Sequence, residues 1–139
     1  MRNARSFFYS IFLLLLAITL LNCGLNHNKY RSLTVSPVSA DAKDYPNGQV
    51  QFTATATLIN GNQVMPANVL WTPNPPWTLT QQTPVSNIFV NSEGLTTCAK
   101  VGQGLYPVYA TSPIDPNYPL AKMTMNTPQI TAMAALTCP

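Results

Sequence analysis

The sequence predicts an all-β fold, an antiparallel β-sandwich of about seven short strands. Three observations carry that expectation. From Gly48 to Gly61 the chain reads GQVQFTATATLING: Val50, Phe52, Ala54, Ala56 and Leu58 fall on one side, and Gln51, Thr53, Thr55 and Thr57 on the other. Period-two alternation of this kind is that of a strand with one buried face. The 139 residues include 13 prolines, and an interior proline costs a helix about 3 kcal/mol. Turn signals such as Pro46-Asn47-Gly48, Asn60-Gly61 and Asn91-Ser92-Glu93-Gly94 separate the apolar runs.

Hydrophobic residues make up 46% of the chain, enough for a core, while charged residues are only 8%. Arg2 and Arg5 account for much of the formal charge of +3. From Gly24 onward five bases face four acids, with no basic stripe, which argues against nucleic acid as a partner.

Residues 1–22 have the layout of a signal peptide. Arg2 and Arg5 form a positive start, and Phe7 to Leu21 is almost wholly apolar. These 15 residues are short for a spanning helix, which needs about 20. Leu20-Leu21-Asn22-Cys23-Gly24 follows and resembles a bacterial lipobox, in which the cysteine receives diacylglycerol before cleavage. Asn22 stands where Gly, Ala or Ser is usual. The resemblance implies lipidation at Cys23 and anchoring to a membrane through the N-terminal lipid, on the periplasmic face or the cell surface. Gly24, by resemblance to Gram-negative lipoproteins, is not an inner-membrane retention signal. Residues 23–32 read as a polar tether containing His27, the chain's one histidine.

The domain is expected over 33–139. Leu33 and Val35 alternate in a first edge strand that Pro37 breaks. Asp41 to Gly48 reads as a loop, and the strand from Gln49 to about Ile59 follows. Val64 to Thr72 holds the next strand, centred on Val69-Leu70-Trp71, with Trp71 expected in the core. Trp77 sits in the proline-rich Pro73–Pro84 stretch. Ile88 and Val90 mark a short strand, and Leu95 to Gly104 reads as a link. Tyr106, Val108 and Ala110 alternate in the next strand. Pro113 to Gln129 is a long segment with four prolines and room for a short strand at Leu120–Met125. Ile130, Ala132, Ala134, Leu136 and Cys138 share one face of the last strand.

From about Ser32 to Cys138 the chain resembles a bacterial Ig-like domain of group 2, the kind found in invasin- and intimin-type surface proteins. The resemblance rests on Val35-Ser36-Pro37, Gly48, Phe52-Thr53-Ala54-Thr55-Ala56, Gly61 and Trp71. It continues through Ser92-Glu93-Gly94-Leu95, Gly104, Val108-Tyr109-Ala110-Thr111 and Ala132-Met133-Ala134-Ala135-Leu136. It implies an Ig-like sandwich used as a spacer, stalk or adhesive module. The Pro73–Pro84 region and the Pro113–Gln129 insertion depart from the family pattern. One copy and no internal repeat argue against a long stalk.

With Cys23 assigned to lipidation, Cys98 and Cys138 remain, and an even pair in an exported protein favours a disulfide. If the 105–111 strand and the last strand pair antiparallel, Cys138 comes near Cys98, just before that strand. Two free buried thiols or a metal site are the alternatives. Neither a nearby His nor a Cys-x-x-Cys pattern accompanies them.

No constellation for catalysis or for a cofactor emerges. The carboxylates Asp41, Asp44, Glu93 and Asp115 fall in loops and turns, His27 lies in the tether, and no phosphate-binding Gly loop precedes a helix. Asp41 and Asp44 at most suit a weak Ca²⁺ contact. The expectation is therefore a non-enzymatic, lipid-anchored envelope protein with a structural or protein-interaction role. Two alternatives stand beside it. One is a glycan or small-molecule binder with Trp77 and Tyr118 as its platform. The other is an accessory subunit of an envelope or secretion assembly.

Overall fold

A computed structural model describes residues 28–74, 87–99 and 103–139. Among them the fold is all-β and sandwich-like, with no α-helix. Ten strand segments follow in order: β1 Tyr30–Ser36, β2 Ser39–Asp41, β3 Gln49–Gln51, β4 Thr53–Leu58 and β5 Gln63–Val64; then β6 Leu70–Thr72, β7 Ile88–Val90, β8 Leu95–Cys98, β9 Gly104–Pro113 and β10 Gln129–Cys138. The hydrogen-bonded orders are β1-β4-β5, β3-β8-β7 and β2-β10-β9-β6. β3 and β4 are one run of chain, so the two small sheets form a single layer opposite the four-stranded sheet.

The alternation at 48–61 does what its period requires. Val50, Phe52, Ala54 and Ala56 are buried, and they meet Val108, Ala110, Ala134 and Leu136 of β9 and β10 in the core. The run is divided at Phe52, whose N–H leaves the ladder and donates to Gly94 O at 3.0 Å. At its far end the Asn60 side chain accepts from Asn62 N at 2.9 Å, closing the expected turn.

The first edge strand begins earlier than the sequence suggests. β1 starts at Tyr30, inside the segment read as tether, and Tyr30 is only 4% exposed. The register shifts between Tyr30 and Ser32, leaving Arg31 as an extra residue in the strand. Such a bulge resets the parity, so Tyr30 turns inward on the same side as Leu33 and Val35. At Pro37 the chain leaves β4 and joins the other layer, where β2 runs parallel to β10. The Ser36–Pro37 and Met65–Pro66 peptide bonds are cis. Every other pairing among the described residues is antiparallel.

Three further expectations change. Val64–Thr72 is two short strands, β5 and β6, on different layers, because Pro66 lacks the N–H a continuous strand requires. Leu95–Gly104 is not merely a link: Leu95–Cys98 forms β8, paired on both sides by β3 and β7. Leu120–Met125 is not a strand. A 3-10 turn spans Leu120–Lys122, where Lys122 N bonds Pro119 O and Met123 N bonds Leu120 O, both at 3.0 Å. Asp41–Gly48 holds two 3-10 turns, Ala42–Asp44 and Pro46–Gly48, with Ala42 buried beneath.

Pro107 sits within β9 without breaking it. Its register partner Ala135 sends its N–H to Val38 O, just before β2, at 3.0 Å. The Pro107 nitrogen therefore points away from β10, toward the side where β6 has already ended at Thr72↔Tyr109.

Candidate functional site

Cys98 and Cys138 form a disulfide with Cα atoms 5.8 Å apart. Its route differs from the sequence argument. The residue beside Cys138 on β9 is Gly104, as antiparallel pairing requires. Cys98, however, closes β8 on the opposite layer. The bond thus joins the two layers and ties the end of β10 to the sheet that holds β3 and β7.

The other singled-out residues divide by location. Cys23, His27 and Trp77 lie outside the described residues. Tyr118 is exposed and helps line an open groove of ≈ 470 Å³, together with Lys29, Ile114, Asp115, Thr124 and Asn126. The groove forms because three segments converge where β1 starts. Tyr30 N donates to Ile114 O at 2.8 Å, Ile59 N to Lys29 O at 2.9 Å, and Ile114 N to Pro128 O at 2.9 Å. The Tyr118 hydroxyl donates to Lys122 O at 3.0 Å, and an Asp115 carboxylate oxygen accepts from Asn117 N at 2.9 Å. Groove and disulfide thus lie at opposite ends of β10.

Trp71 packs against the core, as expected, but is only half-buried. Its indole lies over Gly94 and borders a second hollow of ≈ 420 Å³ with Phe52, Ala54, Met65 and Ala67. Gly94 is required there: a Cβ would fall 2.8 Å from Trp71 Cε2 and 2.5 Å from Phe52 O. The turn is shaped by Asn91, whose side-chain oxygen accepts from Glu93 N at 2.9 Å and Leu95 N at 2.8 Å.

The acidic loop is occupied with its own chemistry. Asp41 pairs with Lys43 at 2.9 Å and accepts from Lys43 N at 3.1 Å. The hydrogen bond from the Lys43 side chain is the main cause holding the Asp41 carboxyl below its ordinary range, and the same pairing raises Lys43. Among the described residues no group of three His, Cys, Asp or Glu is placed to hold a metal ion. Burial pushes the Tyr30 phenol above its usual value.

Sequence reasoning missed Lys29, Ile114, Thr124 and Asn126 as groove residues, and Tyr30 as the side chain anchoring the groove's neighbour β1. Lys29 and Tyr30 read as tether because the stretch is polar and the bulge at Arg31 hides the strand parity of Tyr30. Compared with known proteins, the chain matches no family model and no curated protein.

Proposed function

We propose that this chain is a lipid-anchored protein of the bacterial cell envelope whose single Ig-like domain acts as a structural or protein-interaction module. The observation that carries the reading is the Cys98–Cys138 bond between the layers. Such bonds persist in oxidising compartments and are rare in the cytosol. Export needs a targeting segment, and Arg2, Arg5, the Phe7–Leu21 run and the Leu20–Gly24 motif have the form of one.

Strand order supports the Ig-like part. β1, the β3/β4 run, β8 and β7 follow the order A-B-E-D of an Ig sandwich, and β6, β9 and β10 follow C-F-G. Trp71 falls on the strand that corresponds to C. The disulfide departs from the antibody arrangement, since it joins the strands corresponding to E and G.

Intact mass of the membrane-extracted protein tests the reading. The expected species begins at a diacylated Cys23 and is two hydrogens lighter than the dithiol. A mass that retains residues 1–22 overturns the lipoprotein assignment.

The groove beside Tyr118 favours a second reading, a small-molecule or glycan site, because its size falls in the range of about 300–1,000 Å³ usual for ligand pockets. Tyrosine or tryptophan fluorescence titrated with oligosaccharides, or a glycan array, tests it. A saturable response abolished by Tyr118→Ala supports the binder, and no response removes it.

A further inference from the structure

The charge of the described surface is unevenly placed. Lys29 directly precedes β1, Arg31 sits in the strand's bulge, and Lys122 lies under the Tyr118 hydroxyl. Three of the four described bases are therefore at the end where the chain comes into the domain, accompanied by one acid, Asp115. Asp41 and Asp44 lie toward the opposite end, where β2 runs beside the last residues of β10, and Glu93 lies in the β7–β8 turn. The basic end also exposes Ile59 by 40% and Tyr118 by 37%. Medium-sized apolar and tyrosine side chains among lysines and arginines are the composition that settles at a membrane–water boundary. The rings and stems lie against acyl chains, and the cations meet headgroup phosphates.

With Cys23 as the anchor, chain length makes this end the one nearest the bilayer. Only four residues lie between Cys23 and Asn28, the first described residue, which makes five steps along the chain. Fully extended, those five steps span at most about 18 Å.

We propose that this end of the sandwich, centred on Lys29, Arg31, Ile59, Tyr118 and Lys122, rests on an anionic lipid surface. The proposal rests on the reading of Cys23 as the anchor. Resting on lipid turns a flexible tether into an oriented mount. The long axis of β9 and β10 stands up from the membrane, and the disulfide end is held outward, where an envelope partner meets it. Each basic side chain near an anionic surface strengthens association about fivefold.

The test uses the full-length protein extracted from membranes and reconstituted into vesicles of neutral phosphatidylcholine, or of phosphatidylcholine with added phosphatidylglycerol. Backbone amide exchange is followed at residues 58–62 and 113–128, with residues 39–48 as the far-end control. The expected result is exchange several-fold slower at 58–62 and 113–128 on anionic vesicles only. The slowing disappears in high salt and in the Lys29→Glu/Lys122→Glu variant, whereas Lys43→Glu at the other end leaves it intact. Ile59→Asp, at an exposed position, weakens it without unfolding the domain. Equal exchange on the two vesicle types overturns the proposal. So does slowing produced by free oligosaccharide rather than by lipid, which instead supports the glycan reading. Intact mass of the same sample separates the two questions. A retained leader refutes lipidation at Cys23 but still ends at the membrane beside this surface, so the exchange result judges the surface by itself.

Discussion

Gly94 and Gly61 form a matched pair that tests the packing around Trp71. Their φ angles are +85° and +87°, so an alanine at either meets the same left-handed backbone. That conformation costs an L-residue about 1–2 kcal/mol. Their surroundings differ. Nothing lies within 4 Å of a Cβ at Gly61, whereas at Gly94 it would meet Phe52 O at 2.5 Å and the Trp71 ring at 2.8 Å. One of these neighbours is backbone, and it belongs to the residue whose N–H bonds Gly94 O at 3.0 Å, so the clash cannot be relieved by a rotamer change alone. Overpacking of this kind adds about 1–3 kcal/mol. Gly61→Ala should therefore cost about 1–2 kcal/mol and Gly94→Ala about 2–5 kcal/mol. Urea unfolding followed by tryptophan fluorescence measures both. Equal losses would show that Trp71 does not rest on the turn, and the description of the β7–β8 connection would be wrong.

Three other outcomes follow from the same structure. Replacing both Cys98 and Cys138 by serine should cost on the order of 4 kcal/mol in the chain-entropy account, since the bond closes a separation of 40 residues; a loss under about 1 kcal/mol in urea unfolding would contradict it. Phe52→Asp should abolish cooperative unfolding, because Phe52 is 0% exposed and an unpaired charge there has no partner, whereas half-buried Thr55→Asp leaves a folded protein by circular dichroism. If both variants fold, the inward and outward faces of the run 49–58 have been exchanged. The third concerns Tyr30, whose phenol titrates above its ordinary 10.0 because it is desolvated. The unfolded chain releases that proton first as pH rises past about 10, so Tyr30's contribution is whole below that pH and declines as the pH climbs through the raised value. Tyr30→Phe should flatten the decline in the urea midpoint between about pH 9 and 11; identical slopes in the two proteins would refute it.

Where the residues themselves mark the buried face, sequence and structure agree closely. Val50 to Ala56 and Ala134 to Cys138 carry their own period, and both runs emerge as strands with the expected side inward. β8 was missed because its inward residues are Thr96 and Cys98, one polar and one small. Thr96 is buried with its hydroxyl bonded to Gly94 O at 3.3 Å. The start of β1 was missed for a geometric reason, as one extra residue at Arg31 inverts the parity of everything before it. The proposed strand at Leu120–Met125 gave way to a 3-10 turn beside Pro119, within a segment closed by local bonds such as Thr127 N to Thr124 O at 3.0 Å. Of the suggested aromatic platform, only Tyr118 lies among the described residues. Its groove was not legible, since Lys29, Asp115 and Asn126 are far apart in sequence and meet only because β1, β9 and β10 share an end.

Period-two alternation, dense prolines and Gly/Asn turns were enough by themselves to determine an all-β chain and the buried faces of the runs around Phe52 and Leu136, because burial of one strand face is a local pattern. Tertiary structure alone decided the rest. It determined that the chain changes layers at Pro37 and runs parallel to β10, that Cys98 reaches Cys138 from the opposite layer, and that Lys29, Arg31 and Lys122 gather at one end. These depend on which strands become neighbours, and that is settled by packing the whole core at once rather than by any stretch of sequence.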